Sequence, residues 1–192
     1  MLSYLLLLTT LLSLILPSIA KCLCDETANN VALNFQHLFQ DYSPEYVDTV
    51  LAVDFTDQTD SVAWLISNGT DCPKQLGVPT LTGLAEFKAA QESQPNLPFP
   101  ILNVFHNCDS VFVRWKFDIL PQQVQGIAIL NTIPNPDSRA ASAQPFLIKN
   151  VFSEFNTGAF THDLGWFNGT SPCEGSEKRE CLKKGWAVGV AM

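Results

Sequence analysis

The amino-acid sequence predicts an α+β domain, with helices first and antiparallel strands after them. Three observations carry that reading. Apolar residues recur at helical spacing through much of the first half. Four runs of strand length, rich in β-branched and aromatic residues, occupy the second half. Clusters of Pro, Asn, Asp, Ser and Gly separate many of these segments. Helices grouped ahead of a strand meander pack on one face of the sheet.

Asp25 can cap a first helix that runs to about Asp41. Val31, Phe35, Leu38, Phe39 and Tyr42 form its apolar stripe. Ser43-Pro44-Glu45 is a second start signal, with a capping Ser, Pro at the first helical position and an acid in the first turn. That helix is expected to end near Ala52. Asp54 to Ile66 mixes acids with Val62, Trp64 and Ile66, and reads as a loop leading into a strand. Asn68 to Pro79 has turn chemistry. Thr82 opens a third helix through Gln91, with Leu84 and Phe87 inward, and Pro95 and Pro98 close it.

The strand runs are Phe99 to His106, Val111 to Ile119, Val124 to Thr132 and Phe146 to Phe155. Asn107 to Ser110 makes a tight turn, and Pro134 to Ser138 a longer loop. Val111, Val113, Trp115 and Phe117 alternate with Phe112, Arg114 and Lys116. This is the pattern of a half-buried antiparallel strand. The pattern fades after Phe167. The apolar end, Gly185 to Met192, is shorter than a lipid-anchor signal requires.

The N-terminus predicts the compartment. Leu2 to Ala20 carries no charge, and Leu5 to Leu16 is almost wholly apolar. Ser18-Ile19-Ala20 presents small residues where signal peptidase reads them. The opening Met1-Leu2-Ser3-Tyr4 lacks the usual Lys or Arg. Cleavage after Ala20 is expected, leaving a secreted, extracellular protein with no membrane segment. The expected division is a signal peptide over 1–20, a domain over 21–167 and a C-terminal extension over 168–192.

Cys22, Cys24, Cys72, Cys108, Cys173 and Cys181 all follow that cleavage point, so disulfides are expected, with the pairing open. Cys22-Leu23-Cys24 does not have zinc-knuckle spacing, and no metal is expected. Asn68-Gly69-Thr70 and Asn168-Gly169-Thr170 are glycosylation sequons. A net charge of −8 argues against nucleic acid or anionic membrane as partner.

Seven segments in order carry a resemblance. They are Cys22-Leu23-Cys24-Asp25, Asp54-Phe55-Thr56-Asp57, Asp60 to Ile66, Gln94-Pro95-Asn96, Leu102 to His106, Val113-Arg114-Trp115 and Ser153 to Gly158, with Leu164-Gly165 following. From about Cys22 to Phe167 the chain resembles secreted fungal proteins of the nuclear-transport-factor-2-like, or SnoaL-like, fold. The resemblance implies a cone: three N-terminal helices packed on a curved antiparallel sheet, with a pocket open at one end. Relatives of this fold include ketosteroid isomerases, scytalone dehydratases, polyketide cyclases and proteins that only bind a partner. Fold does not choose among them. Two functions therefore stay open. One is a cofactor-free isomerase, cyclase or dehydratase of a small secondary metabolite. The other is a non-catalytic secreted binding or host-interaction protein. Pairing of two copies through the open sheet face is a further expectation from the resemblance.

Acid–base enzymes of this fold use an Asp or His in the pocket, and burial tunes such a base toward the working pH. Asp57 is the expected base among Asp54, Asp57 and Asp60, because it lies closest to the loop–strand junction. The rival reading has all three capping turns or solvated. His106 ends a strand and titrates near neutrality, so it is the second catalytic candidate, set against a turn-stabilising role. His37 and His162 read as structural. Arg114 faces either the cone, to pair with Glu154 or bind an acidic ligand, or the solvent, since one bulge shifts its parity. Asn131, Asn150 and Glu154 are polar strand residues, and Asn131 and Glu154 join the ligand-binding candidates. Tyr42, Trp64 and Phe105 can line a pocket for a flat apolar ligand. No Gly-x-Ser-x-Gly, phosphate loop, dinucleotide fingerprint or His-Glu-x-x-His is present, and no cofactor is expected.

Overall fold

A computed structural model of the chain describes residues 22–67, 75–119 and 121–165. The expected signal peptide, both sequons, Cys72, Cys173, Cys181 and the C-terminal extension lie outside the described residues.

Helix α1 spans Asp25–Gln40 and turns Ala28, Val31, Ala32, Phe35 and Leu38 into the core. Cys24, rather than Asp25, stands at its N-cap. Its backbone N–H donates to Thr27 Oγ1 at 2.9 Å, and its thiol takes part in the same capping box. Helix α2, Pro44–Val50, starts where Ser43 Oγ accepts from Tyr46 N at 3.2 Å, and it buries Val47 and Val50. Strand β1, Leu51–Gln58, follows at once. Helix α3 occupies Asp60–Ser67.

The expected loop and strand over Asp54 to Ile66 are therefore corrected to a strand followed by a helix. Val62, Trp64 and Ile66 alternate like strand residues, but the buried positions are Ser61 and Ala63, and Trp64 is 55% exposed. A short strand β2, Leu81–Thr82, leads into helix α4, Gly83–Glu92, which buries Phe87. Strands β3 (Ile101–His106), β4 (Ser110–Phe117), β5 (Val124–Pro134) and β6 (Phe146–Phe155) follow close to their expected spans. Helix α5, Thr157–Asp163, starts at Asn156, whose side chain accepts from Ala159 N at 2.9 Å.

The six strands form one sheet in the order β2-β1-β6-β5-β4-β3. All neighbours are antiparallel except β1 and β6, which run parallel. The three expected helices and four-stranded meander thus become five described α-helices and six described strands. The missed members are short or pair with partners far along the chain.

One face of the sheet, the inner face, packs on the helices. Val111, Val113, Trp115 and Phe117 of β4 and Val124, Ala128 and Leu130 of β5 are buried there. Phe99 stacks on Trp115 with ring centroids 4.6 Å apart, and Trp115 meets Phe117 at 4.8 Å. Phe155 and Phe160 continue the cluster. Gly126 makes room for it: a Cβ at that position would stand 2.4 Å from the Trp115 ring. Aromatic side chains therefore fill the inner face at this end of the sheet.

Candidate functional site

The register places Asp57 on the inner face. It pairs with Val151, which pairs with Leu130, which pairs with Val111, which pairs with His106. The three intervening side chains are buried. Thr59 Oγ1 donates to Asp57 Oδ1 at 2.6 Å. Burial pushes the Asp57 carboxyl up to about 6; the Thr59 hydrogen bond opposes the rise and the nearby Glu154 charge adds to it.

Buried hydroxyls gather around this carboxylate. Thr59 N donates to Thr80 Oγ1 at 3.1 Å, and Thr80 Oγ1 donates to Thr59 O at 3.1 Å. Thr80 N donates to the Asp57 carbonyl at 2.7 Å, which ties the approach to β2 onto β1. Ser61 and Ser153 are also buried at this end. Ser153 follows Val151 by one inward position on β6, where it pairs with Ala128 of β5. These hydroxyl residues carried no signal in the sequence beyond being Ser and Thr. Only the folded register brings them to the same end of the sheet as Asp57.

His106 shares a row with Asp57 but not a site. Four strand spacings separate them, roughly 19 Å along the sheet. The imidazole is held elsewhere: Nε2 lies 2.8 Å from Asp25 Oδ1 at the start of α1, and Nδ1 lies 3.1 Å from the Asn107 carbonyl. The Asp25 hydrogen bond leads in raising its pKa, with the Asn107 carbonyl next. His106 thus tethers α1 to the β3–β4 turn.

The ligand candidates divide in the same way. Arg114, Asn131 and Glu154 lie on the outer face of the sheet, away from the helices. Asn103, Arg114, Ile127 and Glu154 form one outer row by register. Phe105, Phe112, Ile129, Phe152 and Gln58 form the next. Ser110, Asn131, Asn150 and Thr56 form a polar third, with Asn150 donating to Thr56 Oγ1 at 2.8 Å. Arg114 does not pair with Glu154. Its guanidinium donates to Gln125 Oε1 at 2.7 Å and to Asn103 Oδ1 at 3.4 Å. Glu154 instead accepts from Asp60 N at 2.9 Å, from Ser61 N at 3.0 Å and from the Ser61 hydroxyl, capping α3.

Phe105 is 64% exposed on the outer face. Trp64 stands on the exposed side of α3. Tyr42 packs beside the core and donates to Lys88 O at 3.3 Å. These three do not converge. Asp54 faces outward and pairs with Lys149 at 3.0 Å. Asp60 Oδ1 accepts from Gly77 N at 2.8 Å, a local role.

Cys22 and Cys108 form a disulfide. Cys24, expected in a disulfide, has a free and exposed thiol whose pKa is lowered, chiefly by the Thr27 side chain. No group of three or more potential metal ligands occurs among the described residues. No described helix is long and apolar enough to cross a membrane.

The NTF2-like domain family matches residues 21–167. This chain belongs to the NTF2-like family. Solved structures share the family's fold at low identity. A candidate polyketide cyclase from Bacillus cereus is 17% identical, with a TM-score of 0.52, over 78% of this chain and 93% of its own. A protein with a ketosteroid isomerase-like fold from Catenulispora acidiphila, solved with trimethylamine, is 12% identical, with a TM-score of 0.52, over 74% and 97%. A SnoaL-like protein of unknown function from Burkholderia thailandensis is 11% identical, with a TM-score of 0.50, over 70% and 98%. No curated protein matches the chain. At these identities the likeness establishes the NTF2-like fold and nothing finer.

Proposed function

We propose that this NTF2-like protein is secreted and moves a proton on a small apolar metabolite without a cofactor, as an isomerase, cyclase or dehydratase does. The observation that carries this reading is Asp57, an inward-facing carboxyl among buried hydroxyls whose pKa lies about 6. A carboxylate so tuned is a general base at neutral pH. Ser153 is positioned on the same inner face to donate to a developing enolate oxygen. The isomerase-like and cyclase-like structural relatives support the reaction class. The uncharged N-terminal run supports secretion, as does the disulfide at Cys22.

A second reading has its own observation. The inner face is filled by Phe99, Trp115, Phe117, Phe155 and Phe160, which suits a non-catalytic secreted binding or host-interaction protein. The test is mass spectrometry of small molecules that purify with the protein, followed by turnover assays on them. Catalysis predicts conversion by the wild type and a loss of about 10²-fold or more in kcat for Asp57→Asn, with wild-type activity rising as pH climbs through about 6. Equal turnover by Asp57→Asn would remove Asp57 from the mechanism. A retained molecule that is never converted would favour the second reading.

A further inference from the structure

The outer face carries an arginine without an opposing charge. Among the described residues, Lys88 pairs with Asp48, Lys116 with Asp118 and Lys149 with Asp54. Arg114 has no carboxylate partner among the described residues. Two neutral side chains, Asn103 and Gln125, hold its guanidinium from either side. Glu154, the nearest acid in its row, is committed to the backbone and hydroxyl at the start of α3.

Arg114 borders a groove of about 360 Å³ lined also by Ile127, Glu154 and Phe155. A second groove of about 230 Å³ continues past Ile127 to Ile129 and Phe152. Ile127 is 61% exposed between them, and Phe152 is 40% exposed. Arg114 and Phe152 sit two strands and one row apart, roughly 12 Å. The arrangement offers a fixed cation at one end and an apolar track leading away from it.

We infer that the outer face of the sheet binds a small amphiphile, its carboxylate on Arg114 and its hydrocarbon body along Ile127, Ile129 and Phe152. A guanidinium pairs strongly with a carboxylate, and neutral side chains that fix its plane reduce the order lost on binding. On an acidic protein of net charge −8, an oriented cation on this face gives selectivity for one anionic head rather than general attraction to anions. A second copy of the chain is the competing occupant. Asp57 lies on the opposite face of the sheet, although Ser153 and Glu154 border the second groove.

The experiment is calorimetric titration of the full secreted chain with decanoate and with decanol, beside sedimentation of the same samples. Decanoate is expected to bind one per chain and more tightly than decanol. Arg114→Gln is expected to weaken decanoate at least tenfold and to leave decanol unchanged, with Arg114→Lys between them. Ile127→Asp is expected to weaken both ligands. Asp57→Asn is expected to bind decanoate like the wild type, so failure of the catalytic reading leaves this result standing. Absent decanoate binding, or equal affinity in wild type and Arg114→Gln, would overturn the inference. So would a wild-type dimer that Ile127→Asp converts to monomer, since the face would then be covered by a second copy.

Discussion

Burial pushes the Asp57 carboxyl up to about 6, against an ordinary value of 3.8. Folding therefore favours its neutral form. Its contribution to stability is fully present below about 3.8 and is lost as pH rises through about 6. At roughly 1.4 kcal/mol per unit, the shift corresponds to on the order of 3 kcal/mol. Asparagine keeps an oxygen for the Thr59 hydroxyl and never ionises. Asp57→Asn is accordingly expected to stabilise the protein at pH 8 by about 1–3 kcal/mol and to change little at pH 4. Denaturant titrations of both proteins at the two pH values check this, and a pH-independent difference would contradict it. Gly126 shows the opposite constraint. Alanine there would press on Trp115 and on the Glu154 carbonyl, so Gly126→Ala is expected to cost about 1–3 kcal/mol, read from its thermal midpoint.

Helix α3 depends on a residue 93–94 positions away. Glu154 accepts from two of its first backbone N–H groups, and Ser61 answers through the Phe155 backbone. Glu154→Ala would strip those donors of their acceptor, at an expected cost of roughly 1–3 kcal/mol. Amide exchange at Asp60 and Ser61 should accelerate first, and unchanged exchange there would show that the cap carries no weight. This dependence also explains what the sequence could and could not reveal. Helices α1, α2 and α4 announce themselves through local stripes and caps, and β3 to β6 through their composition. Helix α3 has its cap on another strand, and its Val62-Trp64-Ile66 alternation imitates a strand. Asp57 was visible as an acid, but its inward direction follows from pairing with Val151. Arg114 and Glu154 were visible as strand polars, while their outward direction rests on register across three strands.

At the scale of the whole molecule, the segment Cys22–Asp25 is fastened three times to the β3–β4 turn. The Cys22–Cys108 disulfide spans 86 residues, Leu23 N donates to Cys108 O at 3.0 Å, and His106 meets Asp25. Closing so long a loop in the unfolded chain is worth roughly 4–5 kcal/mol in the chain-entropy account. Cys108→Ser is expected to lower the denaturant midpoint substantially, and an unchanged midpoint would mean that the reduced chain is already constrained. The raised pKa of His106 adds a small term in the same place, present at low pH and lost as pH rises through its folded value. The parallel pairing of β1 with β6 has a consequence for synthesis. Strand β1 ends at Gln58, and the strand that covers its long edge does not begin until Phe146. A chain leaving the ribosome must carry that edge uncovered until nearly the whole domain has emerged, a period of exposure to wrong partners. Because β6 lies between β1 and β5, a chain cut short before Phe146 would lack the strand that joins the two parts of its sheet.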